Sequence, residues 1–170
     1  MLVIPREPGS KLGGPLAALD EALGGALTTS MQEHNFTAAL GQRLLISIAQ
    51  EGITLKFVVF VGLEETQGVQ RYNLCGFYRA ALDEAAKHGI TRVSLPIFPH
   101  RLATAPVTLI GLTTILGCRV HNAPSAKGSC VTTVEVLCSP QAKRYAEKGT
   151  HSFRQLCYRC SDPSLPESSH

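Results

Sequence analysis

The stretch that most constrains this chain is residues 56–96, KFVVFVGLEETQGVQRYNLCGFYRAALDEAAKHGITRVSLP, which reads as strand, amphipathic helix and strand without interruption. Phe57 to Val61 is a continuous apolar run rich in β-branched and aromatic residues, closed by Gly62. A run of that length fits a strand covered on both faces. Leu74, Phe77, Tyr78, Ala81, Leu82 and Ala85 then follow at helical spacing, while Arg79, Asp83, Glu84 and Lys87 lie off that stripe. Gly89 sits where helices commonly end in a left-handed turn, and Arg92 to Pro96 is the next strand. Two strands joined through a covering helix are expected to be parallel, with a right-handed crossover.

The rest of the chain is consistent with one α/β domain. At 170 residues it can bury one good core. The expected domain is residues 1–150, and residues 151–170, rich in serine and proline, are expected to be a loose tail. Leu2 to Ile4 is a first strand stopped by Pro5. Gly13 and Gly14 precede a helix that starts at Pro15, carries Leu16, Leu19 and Leu23 on one face, and ends at Gly24-Gly25. A second short helix through Ala26, Leu27 and Met31 is expected to fray near His34 and Asn35. Arg43 to Ala49 is a strand that forms an antiparallel hairpin pair with 57–61. Past Pro96 come a loop of ten residues, IFPHRLATAP, a helix over about 105–116, a short strand over 119–122, a strand over 130–138, and a short charged helix from Pro140 finished by Gly149.

Composition excludes several classes. No apolar run reaches the roughly 18–20 residues that cross a bilayer, and MLVIPREPG has too short an apolar core for a secretory signal, so a cytoplasmic location is expected. The formal charge of +3 is mild and the basic residues are scattered, which disfavours nucleic acid as a partner. Six cysteines, with Cys75 and Cys118 near apolar positions, suit buried thiols in a reducing compartment. Cys157-x-x-Cys160 has no second such pair and borders the polar tail. With Cys118-x-x-His121 it makes a zinc-type set too widely spaced for the usual structural sites. No metal site and no cofactor are assigned. Ser94, Ser129 and the cysteines have no recognisable nucleophile motif around them, so no catalytic residue is assigned either.

PLAALDEALGGAL (15–27), HNFTAALGQRLLIS (34–47), KFVVFVGLEE (56–65) and FYRAALDEAAKHGITRVSLPI (77–97), in that order, resemble the N-terminal domain of the leucine aminopeptidase family over about residues 2–138. The resemblance implies a macro-domain-like fold, a three-layer α/β/α sandwich on a mixed sheet, here of five to seven strands. It also implies an accessory role, since in that family a separate C-terminal domain holds two metal ions with lysine, aspartates and a glutamate. Composition makes the same point independently. A two-metal site needs several convergent oxygen ligands, and the only aspartates are Asp20, Asp83 and Asp162, two in predicted helices and one in the tail.

The macro likeness raises a second reading, binding of a nucleotide or ADP-ribose. Such a site wants bare backbone amides near a helix start. Gly13 and Gly14 are candidates for one phosphate-binding turn, although a plain strand-to-helix turn uses glycine for the same backbone freedom. Phe98, His100 and Arg101, beyond the strand ending at Pro96, are candidates for a second contact, because open α/β sheets bind ligands at the carboxyl ends of their strands. Macro domains carry asparagines where this chain has Pro5-Arg6, and a glycine-rich loop where it has FPHRLA, which contains no glycine. The preferred expectation is therefore a stand-alone, non-catalytic relative acting through protein contacts, with itself as a homo-oligomer or with another chain. A divergent nucleotide-binding domain is the alternative.

Overall fold

A computed structural model of the chain describes residues 1–63, 71–96, 116 and 131–156, the side chains of 71–75 and 152–156 excepted. Its elements are β1 (Leu2–Arg6), α1 (Pro15–Ala22), α2 (Ala26–Glu33), β2 (Arg43–Ser47), β3 (Phe57–Gly62), α3 (Arg71–Lys87), β4 (Arg92–Pro96), β5 (Thr133–Leu137) and α4 (Pro140–Leu156). The five strands form one mixed sheet in the order β2-β3-β1-β4-β5. β2 and β3 are antiparallel, with Leu45 opposite Val59, and every other neighbouring pair is parallel. β3 and β4 point the same way as their connecting helix requires, but β1 lies between them.

Alternation along β3 explains its unbroken apolar run. Val59 and Val61 face α3, in a core with Val3, Phe77, Tyr78, Ala81, Ala85, Val93 and Leu95. Val58 and Phe60 face the opposite way, in a core with Leu23, Leu27, Phe36, Leu44 and Ile46, under α1 and α2. Each residue of the strand from Val58 to Val61 is buried because the sheet has a layer on both faces. This is the mixed-sheet α/β sandwich expected from the sequence.

Pro5 does not end β1; it pairs in register with Val61, and Arg6 with Gly62. The backbone groups of Met1, Val3 and Pro5 point toward β4, since Ser94 donates to the Met1 carbonyl at 2.8 Å, and Leu2, Ile4 and Arg6 point toward β3. The β4 pairing is registered at Leu2 with Ser94, so the missing N–H of Pro5 falls beyond it. Gly149 does not end α4, which runs on to Leu156 with Gly149 buried in its interior. Packing overrides a weak local preference there. Cys138 is an exposed free thiol, while the side chains of Cys75 and Cys118, the expected buried thiols, lie outside the described residues. The expected helix near 105–116, apart from buried Leu116, the strand near 119–122 and residues 157–170 lie outside the described residues.

Two motifs that stand out in the sequence prove to be joints of the fold. Asp20, near the end of α1, accepts hydrogen bonds from Leu27 N at 2.8 Å and Thr28 N at 3.2 Å, and from the Thr28 hydroxyl. It thereby satisfies free amides at the start of α2 across the Gly24-Gly25 turn, both of whose glycines have positive φ. Gln42 Oε1 accepts from Thr37 N at 3.0 Å, Thr37 Oγ1 at 3.1 Å and Ala39 N at 3.3 Å, which folds residues 37–42 back against the end of β3. Gly62 must be glycine at that contact, because a Cβ would lie 2.0 Å from the Ala39 carbonyl oxygen.

Candidate functional site

The carboxyl ends of β1 and β3 lie side by side, joined by a 2.8 Å hydrogen bond from Leu63 N to the Arg6 carbonyl. The turn between β1 and α1 leaves from there. Arg6, which the sequence presents only as the residue after a proline, is 7% exposed. Its guanidinium lies 5.9 Å over the Phe60 ring and donates through a terminal nitrogen to the Ser10 carbonyl. Ser10 is folded back in turn, its N and Oγ both donating to the Glu7 carbonyl at 3.1 and 2.5 Å. Burial pushes the Arg6 guanidinium below its ordinary value, with nearby Glu7 opposing. The buried Nε of Arg6 has no hydrogen-bond partner among the described residues.

Gly13 and Gly14 end this turn. Gly14 has φ 54° and ψ −131°, a conformation that needs glycine, and a Cβ at either residue would meet open space. Part of the amide cradle is spent, while Gly13 N, Gly14 N and Ala17 N have no hydrogen-bond partner among the described residues. Pro15 occupies the first helical position without an N–H, Leu16 N donates to Gly13 O at 3.2 Å and Ala18 N to Gly14 O at 3.2 Å. Phe98, His100 and Arg101 lie outside the described residues, so the structure brings together only the first half of the candidate site.

A second concave feature lies at the carboxyl end of β3, between the 38–42 turn and α3. It is an open groove of about 510 Å³, whose charged lining is Arg43, Arg79 and Asp83. Arg79 and Asp83 sit 3.9 Å apart, both largely exposed. Beside it Glu84 is buried, accepting from Arg43 at 3.0 Å and Lys87 at 2.9 Å, with His88 Nε2 3.8 Å away. Burial raises the Glu84 pKa, but the hydrogen bonds from Lys87 and Arg43 and their charges together outweigh it and hold the carboxyl below its ordinary value. Sequence reading missed both buried charges. Among the described residues no group of His, Cys, Asp and Glu is placed to hold a metal ion, and no helix is long and apolar enough to cross a membrane.

The family model described as "Cytosol aminopeptidase family, N-terminal domain" matches residues 3–111. This chain belongs to that family. No curated protein sequence matches it. Among solved structures, a leucine aminopeptidase mutant from tomato superposes with a TM-score of 0.67 at 15% identity, covering 89% of this chain and 33% of that one. The chain therefore spans about a third of the length of that aminopeptidase. The Oceanobacillus iheyensis macrodomain with ADP superposes with a TM-score of 0.66 at 17% identity, over 91% of this chain and 85% of that one. The Trypanosoma brucei macrodomain in complex with ADP gives 0.60 at 16% identity, over 87% and 62%. At such identities the likeness establishes the fold. The family model gives the aminopeptidase N-terminal-type domain, and the structural likeness gives its macro-like architecture.

Proposed function

We propose that this domain is non-catalytic and serves an accessory role in the cytoplasm through contacts with other protein surfaces. The observation that supports the reading is the state of the turn between β1 and α1. Macro-type recognition of a diphosphate calls for converging free amides. Here Pro15 removes one donor, Leu16 N and Ala18 N are spent within the turn and the Arg6 guanidinium is tied to Ser10, which leaves Gly13 N, Gly14 N and Ala17 N as the turn's unbonded amides among the described residues. The family match is to the N-terminal domain, and the resemblance assigns the hydrolytic centre to a separate domain.

A second reading, a divergent macro-type domain that takes a nucleotide or ADP-ribose, is favoured by one specific observation. Arg6 keeps an unpartnered buried Nε beside the carboxyl end of β1, and two of the structural neighbours were solved with ADP. His100, Arg101, Phe98, Gly13 and Gly14 would contact the ligand in that case. Thermal unfolding with ADP-ribose, ADP and inorganic phosphate decides between the two. A ligand at 100 times its dissociation constant adds about 2.7 kcal/mol to folding stability. The accessory reading expects no shift at millimolar ligand, and a saturable shift that disappears in R6M establishes the alternative.

A further inference from the structure

We propose that the free edge of β2 pairs antiparallel with β2 of a second copy of this chain, continuing the sheet across a two-fold axis centred on Leu45.

Among the described strands β2 is the outer one on one side of the sheet. Its hydrogen-bonding parity is set by two bonds at its ends, from Gly62 N to Gln42 O at 2.7 Å and from Ile48 N to Lys56 O at 2.8 Å. With the register that places Leu44 opposite Phe60 and Ile46 opposite Val58, residues 42, 44, 46 and 48 bond to β3. The N–H and C=O groups of Arg43, Leu45 and Ser47 therefore point away from the sheet. Among the described residues none of these six groups has a partner. The outward set ends cleanly, since Gly41 N is already bonded to Gly62 O at 3.2 Å.

That pattern suits a second copy. The strand has an odd number of residues and its central residue faces outward, so a two-fold axis at Leu45 places Arg43 opposite Ser47 of the partner and Leu45 opposite its own equivalent. All six outward groups on each strand are then satisfied with no overhang. Charge does not oppose the pairing. The two Arg43 side chains are separated by about 14 Å along the strands, beyond the screening length of about 8 Å, and each is already neutralised by its own Glu84 at 3.0 Å. Leu45 is half-buried and packs on the core under α3. No proline, lysine or bulge protects β2, the devices by which edge strands usually avoid partners.

The pairing gives the protein-contact reading one concrete contact, and its test does not depend on that reading. The whole chain is examined by sedimentation velocity over low to high micromolar concentration, beside S47P and L45K. Ser47 is exposed and its N–H points outward, so proline there removes a donor to the partner and no bond to β3. The wild type is expected to dimerise, S47P to weaken the dimer about tenfold or more through the two lost inter-chain bonds, and L45K to be monomeric, each with unchanged circular dichroism. A monomeric wild type, or a dimer that a folded S47P leaves unweakened, overturns the proposal. Capture of a different extended segment on β2 in a monomer also overturns it. A monomer that refuses nucleotides sinks this pairing alone; a dimer that binds them sinks the accessory reading alone.

Discussion

Among the described residues two charged side chains are buried, Glu84 and Arg6, and they are held in opposite ways. Glu84, on α3, is held by two cations, Arg43 reaching it from β2 and Lys87 from the next turn of its own helix, with His88 Nε2 3.8 Å away. Arg6, at the end of β1, has a carbonyl, an aromatic face and a spare Nε. The first arrangement ties a helix to the edge of the sheet, with two hydrogen bonds to one carboxylate oxygen. The second holds a turn closed with a group that has donor capacity left over. A buried charge with its partners in place is a joint, and one without them at a strand end is where a ligand would have to act.

Removing the joint should cost most. Glu84→Ala leaves Arg43 and Lys87 without their carboxylate, and since both cations reach solvent the loss is expected to be about 2 kcal/mol, below the full cost of an orphaned buried charge; urea unfolding measures it. The same carboxyl sets an acid limb. Its pKa is held below the unfolded value of about 4.3, so its contribution is complete above that pH and is lost as pH falls through the folded pKa. In Glu84→Gln the fall in stability below about pH 5 should be shallower than in the wild type. If the two proteins lose stability in parallel, Glu84 is not the joint described here.

Asp20→Ala is the intermediate case, expected to cost about 1 kcal/mol through the uncapped start of α2, read by thermal or urea unfolding. Arg6→Met should have the smallest effect, within about 1 kcal/mol of the wild type in either direction. It exchanges a guanidinium with an unmet donor for an apolar side chain that still covers Phe60. A loss larger than that of Glu84→Ala would reverse the comparison and make Arg6 the principal support of its end of the sheet.

The sequence made the sheet legible where local pattern and burial agree. The run Phe57–Val61 announced a strand with two covered faces, and the Gly24-Gly25 and Gly89 stops fell where the chain turns with positive φ. Pro5 and Gly149 misled because each is tolerated by its surroundings, a β1 edge beyond its registered β4 pairing and a buried helix position. The buried charges were illegible for another reason. Glu84 lies off the apolar stripe of α3 and becomes buried only because Arg43, 41 residues earlier, comes over it when β2 pairs with β3. Arg6 follows a proline in a strand that seemed from its residues to have ended. Asp20 and Gln42 were visible as parts of a family pattern, but their purpose is set by amides that approach only in the folded chain. Of the candidate site, Gly13 and Gly14 stand at the expected strand-to-helix turn, while Phe98, His100 and Arg101 lie outside the described residues.

The central claim is that the turn over Arg6 is closed and serves structure. Isothermal titration of the whole chain with ADP-ribose at millimolar concentration tests it most directly. The account predicts no heat beyond dilution, in the wild type and in Arg6→Met alike. Saturable binding near one ligand per chain, abolished by Arg6→Met while the fold persists, would contradict it.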